Sequence, residues 1–426
     1  MRFLYTLVIY FLAPFVLLRL FWLGLKNPAY RTRWHERFGF LSWTSNSKPV
    51  LWIHAVSVGE VNAATPIITR LLKKYTHYQI LVTTVTPTGA YTIEQHFGDE
   101  IRHLYLPYDL PFSVKRFLKI VKPSLLITME TEIWPNLYEA CQNKGIPILI
   151  INARLSQKSS KGYQLVATLM KQTLSKVSVI AAQTNQDAER FISFGADQNK
   201  VVVTGNLKFD VKVPHSITEQ AQSLKRYFSL NRPIWIAAST QEGEEEIVLK
   251  AHEMVLKKYP QAILILAPRH PERASKVSIL CEAAGLNYVK RTDEMNFSQE
   301  FSVYILDTLG ELQLHYAASQ IAFVGGSLVN NGGQNMMEPA SLGLPVISGL
   351  HTYNFTEITS LLLENDALLC VSESEELANE ICMLLNDANR RHNMGERGRQ
   401  VIESNRGNLT RLMEVIEPYL SQHATY

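Results

Sequence analysis

The sequence has little cysteine, little net charge and no repetition. Cys141, Cys281, Cys370 and Cys382 are its four cysteines, with no CxxC and no metal-like spacing to histidine. That excludes a structural zinc and fits reduced, mostly buried thiols in a cytosolic compartment. None of the 12 histidines forms an HxH or HExxH pair, so no metal centre is expected. A formal charge of +3 is too small to argue for nucleic acid as a partner. Low-complexity segments and short repeats are absent. What remains is an ordinary globular composition, 46% hydrophobic and 19% charged, over 426 residues. That length exceeds one typical domain and points to two.

The small charge is unevenly placed. Residues 1–40 carry Arg2, Arg19, Lys26, Arg31, Arg33 and Arg37 against the single acid Glu36, so the rest of the chain is slightly acidic. Phe3 to Leu18 is almost wholly apolar, Arg19 interrupts it, and LFWLGL continues to Leu25. A full span needs about 20 apolar residues, and Arg19 can snorkel to a headgroup layer. No small-x-small cleavage site follows, which argues against a removed signal peptide. The expectation is a membrane element at 1–40, spanning or embedded. Its basic flank would lie against an anionic lipid surface, with the rest of the chain on the cytoplasmic side.

From Ser47 onward, apolar strands alternate with helices. PVLWIHAVS, QILVTTVT, HLYLPYD, SLLITME, IPILIINA, VSVIAAQT and VVVTGN form the first series. The rhythm restarts after a polar stretch with PIWIAAST, AILILAPRH, LNYVKR, SVYILD, IAFVGG, LPVISG and ALLCV. Such alternation predicts an α/β fold with parallel sheets. The expected organisation is one α/β domain over 48–210, a linker over 211–231, a second α/β domain over 232–400 and a last helix over 401–426. Ligands in such sheets bind beyond the strand C-terminal ends.

Polar groups at those ends are the candidate site residues. In HAVSVGE, Ser57 and Gly59 precede Glu60, with Gly59 read as permitting a tight turn. A carboxylate at a helix N-terminus is expected to stay ionised and to accept a proton from an attacking hydroxyl. Glu130 and Glu132 follow SLLITM directly, an unusual pair at the edge of a core. Arg154 and Lys208 are cations at later strand ends, suited to an anionic ligand. In the second half, Arg269 is the first choice for a phosphate or an acidic sugar, with His270 beside it. Thr308, Gly310 and Glu311 form a similar strand end. The run FVGGSLVNNGGQNMMEPASLG reads as strand, glycine turn and short helix. There Gly326, Gly332 and Gly333 would let the backbone approach a ligand. Asn335 lies in the same run, and Glu338 would hold ribose hydroxyls. Phosphate or sugar held by backbone donors and an acid points to a nucleotide-sugar site.

These motifs, in this order, resemble one family. HAVSVGEV, ETEIWPN, NARLS, GNLKFD, APRHPER, DTLGEL and the glycine-rich run through EPA occur as in the 3-deoxy-D-manno-octulosonic acid (Kdo) transferases. The likeness covers nearly the whole chain. It implies a GT-B glycosyltransferase architecture at the cell inner membrane, with two Rossmann-like domains facing a cleft, an acceptor domain over 48–210 and a donor domain over 232–400, and the C-terminal helix over 401–426 crossing back to the first domain. It also implies a CMP-Kdo co-substrate with no resident cofactor, a lipid A precursor (lipid IVA) as acceptor, and an inverting mechanism in lipopolysaccharide synthesis. The family's catalytic base falls on Glu60 and its acidic pair on Glu130 and Glu132. Donor contacts fall on Arg269, Thr308, Gly310, Glu311, Asn335 and Glu338. One departure is Gln334, where many members have histidine. Another membrane-associated GT-B enzyme using a different nucleotide sugar is the competing reading.

Overall fold

The computed structural model describes residues 1–43, 48–210, 213–214, 216–228, 232–293 and 301–421. It divides into two compact units, Met1–Lys208 with Gly407–Tyr426, and Phe209–Arg406. The first unit holds β1 (Val50–His54), β2 (Gln79–Thr84), β3 (Arg102–Tyr105), β4 (Pro123–Met129), β5 (Ile148–Ala153), β6 (Val179–Ala182) and β7 (Val201–Val203). They pair in the order 3-2-1-4-5-6-7, all parallel.

β1 shows why a continuous apolar run forms a central strand. Val50 and Trp52 point into one core and Leu51 and Ile53 into another, following the period-2 alternation of side chains. Helices cover both faces, so both sets are buried. The core containing Leu51 also takes in Leu412, Met413, Ile416 and Leu420 of the helix Asn408–Ser421. Burying each of these side chains stabilises that attachment by roughly 2 kcal/mol. The Lys74–Glu417 pair at 2.6 Å and the bond from Tyr78 Oη to Leu420 O add to it. Gly205 has no room for a Cβ because Asn408 lies against it.

The second unit holds β8 (Ile234–Thr240), β9 (Ile263–Pro268), β10 (Tyr288–Lys290), β11 (Val303–Ile305), β12 (Ile321–Val324), β13 (Val346–Ser348) and β14 (Leu368–Cys370). Their order is 10-11-9-8-12-13-14, again parallel. In the first sheet the connections run outward in both directions from a central pair, β1 and β4; in the second they leave the pair β8 and β12 in opposite directions, with β11 inserted between β9 and the edge strand β10. In each sheet that pair is the switch point where such folds leave a crevice beyond the strand ends.

Three expectations change. The stretch read as a linker contains the helix Ile217–Tyr227, in which Ile217, Ala221 and Leu224 turn one apolar side inward. Its many polar residues belong to the exposed side, which masked the helical spacing. Unit boundaries fall after Lys208 and Arg406, a few residues from those read in the sequence. Of the cysteines, only Cys141 and Cys281 are buried, while Cys370 is exposed and Cys382 half-buried.

Candidate active site

In the first unit the switch point gathers Glu60, Glu130 and Glu132. Ser57 caps the helix Val58–Lys74, its hydroxyl accepting the Glu60 N–H. The Glu60 side chain folds back over that turn. Its Oε2 accepts the Val56 N–H at 2.8 Å, and its Oε1 takes the Ser57 hydroxyl at 3.5 Å. Only 9% of Glu60 is exposed.

That burial reverses the expectation of an ionised group. Desolvation pushes the Glu60 carboxyl up to about 8; the Val56 and Ser57 hydrogen bonds oppose the rise, and the Glu132 and Glu130 charges add to it. The helix N-terminus favours the anion by about 1 kcal/mol at most in ordinary settings. Loss of water and two like charges outweigh it.

Glu130 follows β4 with φ +53°, a left-handed conformation that costs a non-glycine residue roughly 1 kcal/mol or more. Burial raises its carboxyl, the Lys208 and Arg154 charges lower it, and Glu132 raises it again. Both cations are therefore close enough to act on Glu130, although their own side chains are exposed. Asn152, at an irregularity in the β5–β6 pairing, is also left-handed, with φ +49°. Its side-chain oxygen receives the Leu207 N–H, which ties β5 to the segment carrying Lys208.

Sequence reasoning passed over His54. It ends β1, fully buried, with Nδ1 3.0 Å from both the carbonyl and the hydroxyl of Thr83. Its Nε2 lies 3.7 Å from Glu132 Oε2. Trp134 Nε1 donates to the same carboxylate oxygen at 3.0 Å. Glu132 is thus steered by a histidine and an indole from two elements. The signal was the first letter of HAVSVGE, a polar residue ending an apolar strand.

Gly59 does not serve a tight turn. It lies inside the helix, and an added Cβ would meet only Ser57 Oγ, at 3.8 Å. The fold leaves that helix turn uncovered.

In the second unit the glycine turn is occupied from within. Glu244, fully buried, accepts the N–H groups of Gly326, Ser327 and Leu328 at 2.6, 2.8 and 2.8 Å, and that of Gln241 at 2.9 Å. The Gly326 N–H expected to meet a ligand therefore holds an internal carboxylate. A Cβ on Gly325 would meet Glu244 and the backbone of Ser239 and Thr240. Gly332 is likewise required by packing, since a Cβ there would overlap Asn354 and Tyr353. Ser239, left-handed at φ +56°, marks this strand end as Glu130 marks the other.

The remaining donor-side candidates divide by engagement. Glu311 forms a two-pronged pair with Arg291 at 2.9 and 3.1 Å and accepts the Thr308 hydroxyl. Burial acts to raise the Glu311 carboxyl, but the Thr308 and Arg291 hydrogen bonds outweigh it and hold it below its usual range. Arg291 was missed because it lies in a short edge strand's tail, 20 residues before its partner. Gly310 precedes the helix Leu312–Ala318 with φ +85°. Asn335 bridges the turn into the helix Met337–Ser341, accepting the Met337 N–H and donating to Glu338 Oε1 at 3.1 Å. Burial raises the Glu338 carboxyl, against that hydrogen bond. Arg269 is exposed; its N–H donates to Thr240 O, and its side chain forms no bond among the described residues. His270 sits beside it, 3.7 Å from Glu272. Among the described residues no group of three or more histidine, cysteine, aspartate or glutamate side chains is placed to hold a metal.

Two parallel Rossmann-like sheets with acids at one switch point and exposed arginine at the strand ends of the other fit the GT-B class of fold. Solved structures agree on the fold. UDP-GlcNAc 2-epimerase from Neisseria meningitidis, bound to UDP-GlcNAc, matches with TM-score 0.56 at 17% identity, over 88% of this chain and all of that one. A glycosyltransferase from Rickettsia africae matches with TM-score 0.54 at 16% identity, over 89% and 100%. Residues 32–211 match the family described as 3-deoxy-D-manno-octulosonic-acid transferase (kdotransferase), and residues 231–401 match glycosyl transferases group 1. The 3-deoxy-D-manno-octulosonic acid transferase of Haemophilus influenzae is 42% identical over 99% of both chains. That of Bordetella pertussis is 33% identical over 98% of this chain and 99% of its own. The chain belongs to the 3-deoxy-D-manno-octulosonic acid transferase family.

Proposed function

We propose that this Kdo transferase moves Kdo from CMP-Kdo to a lipid A precursor, with Glu60 as general base and inversion at the anomeric carbon. The observation that carries the reading is Glu60 itself. It is a buried carboxyl at the switch point, held by Val56 and Ser57, with proton affinity raised to about 8. A base poised near the working pH takes a hydroxyl proton with more driving force than an ordinary carboxylate. At pH 7 about one-tenth of such groups are ionised, enough to start the reaction.

In this reading the acceptor hydroxyl gives its proton to Glu60 as its oxygen forms the new bond to the anomeric carbon. The bond from that carbon to the CMP phosphate oxygen breaks, and CMP departs with the electron pair. Glu132, steered by His54 and Trp134, and Glu130, beside Lys208 and Arg154, surround the transferred sugar. Arg269 meets the anionic donor, supported by Gly310 and by the Asn335–Glu338 turn. CMP-Kdo enters as a co-substrate, and no resident cofactor takes part. The apolar helix Arg2–Lys26 and its basic flank bring the first unit to the inner membrane, on the cytoplasmic side.

The test is transfer from CMP-Kdo, generated in situ, to tetraacylated lipid A precursor, read by mass spectrometry of the lipid. A mass gain of one or more Kdo units is expected. No gain with folded, membrane-bound protein, and a gain with another nucleotide sugar, would overturn the donor assignment.

A further inference from the structure

The helix Arg2–Lys26 has 25 residues, its most apolar 18-residue stretch has a mean hydropathy of 2.1, and it is little buried, with Phe3 77% and Trp22 76% exposed. Length and composition allow it to cross a bilayer. Its end contacts do not. The Tyr5 hydroxyl donates to Asp109 Oδ2 at 2.9 Å, Thr6 Oγ1 to Asn136 Oδ1 at 3.1 Å, and Arg2 lies 3.5 Å from Glu139. Asp109 and Asn136 are buried, and Asp109 also takes the Asn136 and Leu137 N–H groups. The N-terminal end is thus bonded to the folded unit.

The other end returns to the same place. After Lys26 the chain turns through Pro28–Arg31, with the Arg31 guanidinium folded back over the Phe21 ring, and through Trp34–Arg37. The Arg37 carbonyl then accepts the Tyr108 N–H at 2.8 Å. Tyr5 and Arg37 are therefore held by adjacent residues, Asp109 and Tyr108. A helix crossing the bilayer from Tyr5 would leave Lys26 on the far side. Asn27–Arg37, with Arg31, Arg33, Glu36 and Arg37, would then have to cross back. Its two helical turns limit its reach to about 24 Å, short of the roughly 30 Å hydrocarbon core. Moving charged residues through that core is also costly.

We propose that the helix lies in the plane of one leaflet, embedded in the acyl chains and not crossing them, with both ends on the side of the folded unit. The apolar surface continues beside the docking point. Phe40 and Phe112 are both exposed, three residues after Arg37 and Asp109 respectively. The Arg116 guanidinium stacks on both rings at 3.7 and 4.2 Å. Aromatics with a cation among them suit the boundary between acyl chains and anionic headgroups. An in-plane helix apolar around most of its circumference holds the unit close to the surface, where the hydroxyls of a lipid-linked sugar lie. This inference rests on the membrane association proposed above and fixes its geometry.

The test uses the full chain with one epitope tag at each terminus. Protease is added to intact spheroplasts and to inverted membrane vesicles. Loss of both tags from the same preparation is expected. Loss of the two tags from opposite preparations would overturn the in-plane arrangement and leave membrane association standing. Recovery of the untreated protein in a detergent-free soluble fraction, including as a dimer that covers the helix with a second copy, would overturn both.

Discussion

Replacing Glu60 by glutamine tests the buried proton directly. The carboxyl rises from 4.5 to about 8 because burial removes water from its charge and Glu132 and Glu130 repel it. In the unfolded chain it titrates near its ordinary value. The folded state therefore keeps a proton that the unfolded state gives up between pH 4.5 and about 8. The stability associated with this group is fully present below pH 4.5 and declines as pH rises through about 8. Each tenfold change in proton affinity is worth about 1.4 kcal/mol, so the loss is capped at about 5 kcal/mol. Local relaxation would lower it to about half that. Glutamine fills the same space, and its oxygen can still accept the Val56 N–H. Unfolding of both proteins is measured from pH 5 to pH 9 in one detergent, and the difference removes every other titrating group. At pH 5 the two proteins should agree within about 1 kcal/mol, and Glu60→Gln should gain about 2–5 kcal/mol at pH 9. Parallel pH profiles would refute a carboxyl held protonated by the fold. For the unsubstituted enzyme, kcat/KM should climb as pH approaches 8, while Glu60→Gln keeps donor binding and loses transfer. Transfer at the unsubstituted rate would remove Glu60 as the base.

Glu244→Ala should cost about 3 kcal/mol or more in thermal unfolding, because four N–H donors lose their acceptor inside the fold. A cost under about 1 kcal/mol would mean that water or a neighbour readily replaces the carboxylate. Gly59→Ala should leave unfolding unchanged or raise it by up to about 1 kcal/mol, since the helix has room for the methyl. If a substrate approaches that turn, KM rises in the same variant, and unchanged kinetics would show that none does. Arg269→Ala should weaken donor binding, read by titration with a CMP-sugar, with no loss of stability, because its side chain supports nothing else among the described residues. Arg291→Ala should instead destabilise the second unit by about 1–3 kcal/mol, as it strips Glu311 of a two-pronged partner.

Local sequence determined a great deal here. Fourteen apolar runs between helical segments gave the strands and their parallel arrangement, because a strand buried on both faces must be apolar throughout. Seven short motifs carried the family, and polar letters ending apolar runs located Glu60, Glu130 and Glu132. Tertiary structure decided what those letters do. Glu244 fills the glycine turn from 82 residues away, so a run that reads as a ligand cradle is closed by the protein's own carboxylate. Glu60 looks ionised beside a helix N-terminus and is protonated once burial and two acids from another strand end are present. The first 25 residues read equally well as a spanning or an embedded helix. A hydroxyl meeting a buried aspartate more than 100 residues away is the contact on which the in-plane proposal rests. Hydropathy and spacing are properties of neighbours in the chain, whereas desolvation, charge proximity and hydrogen-bond partners are properties of neighbours in space.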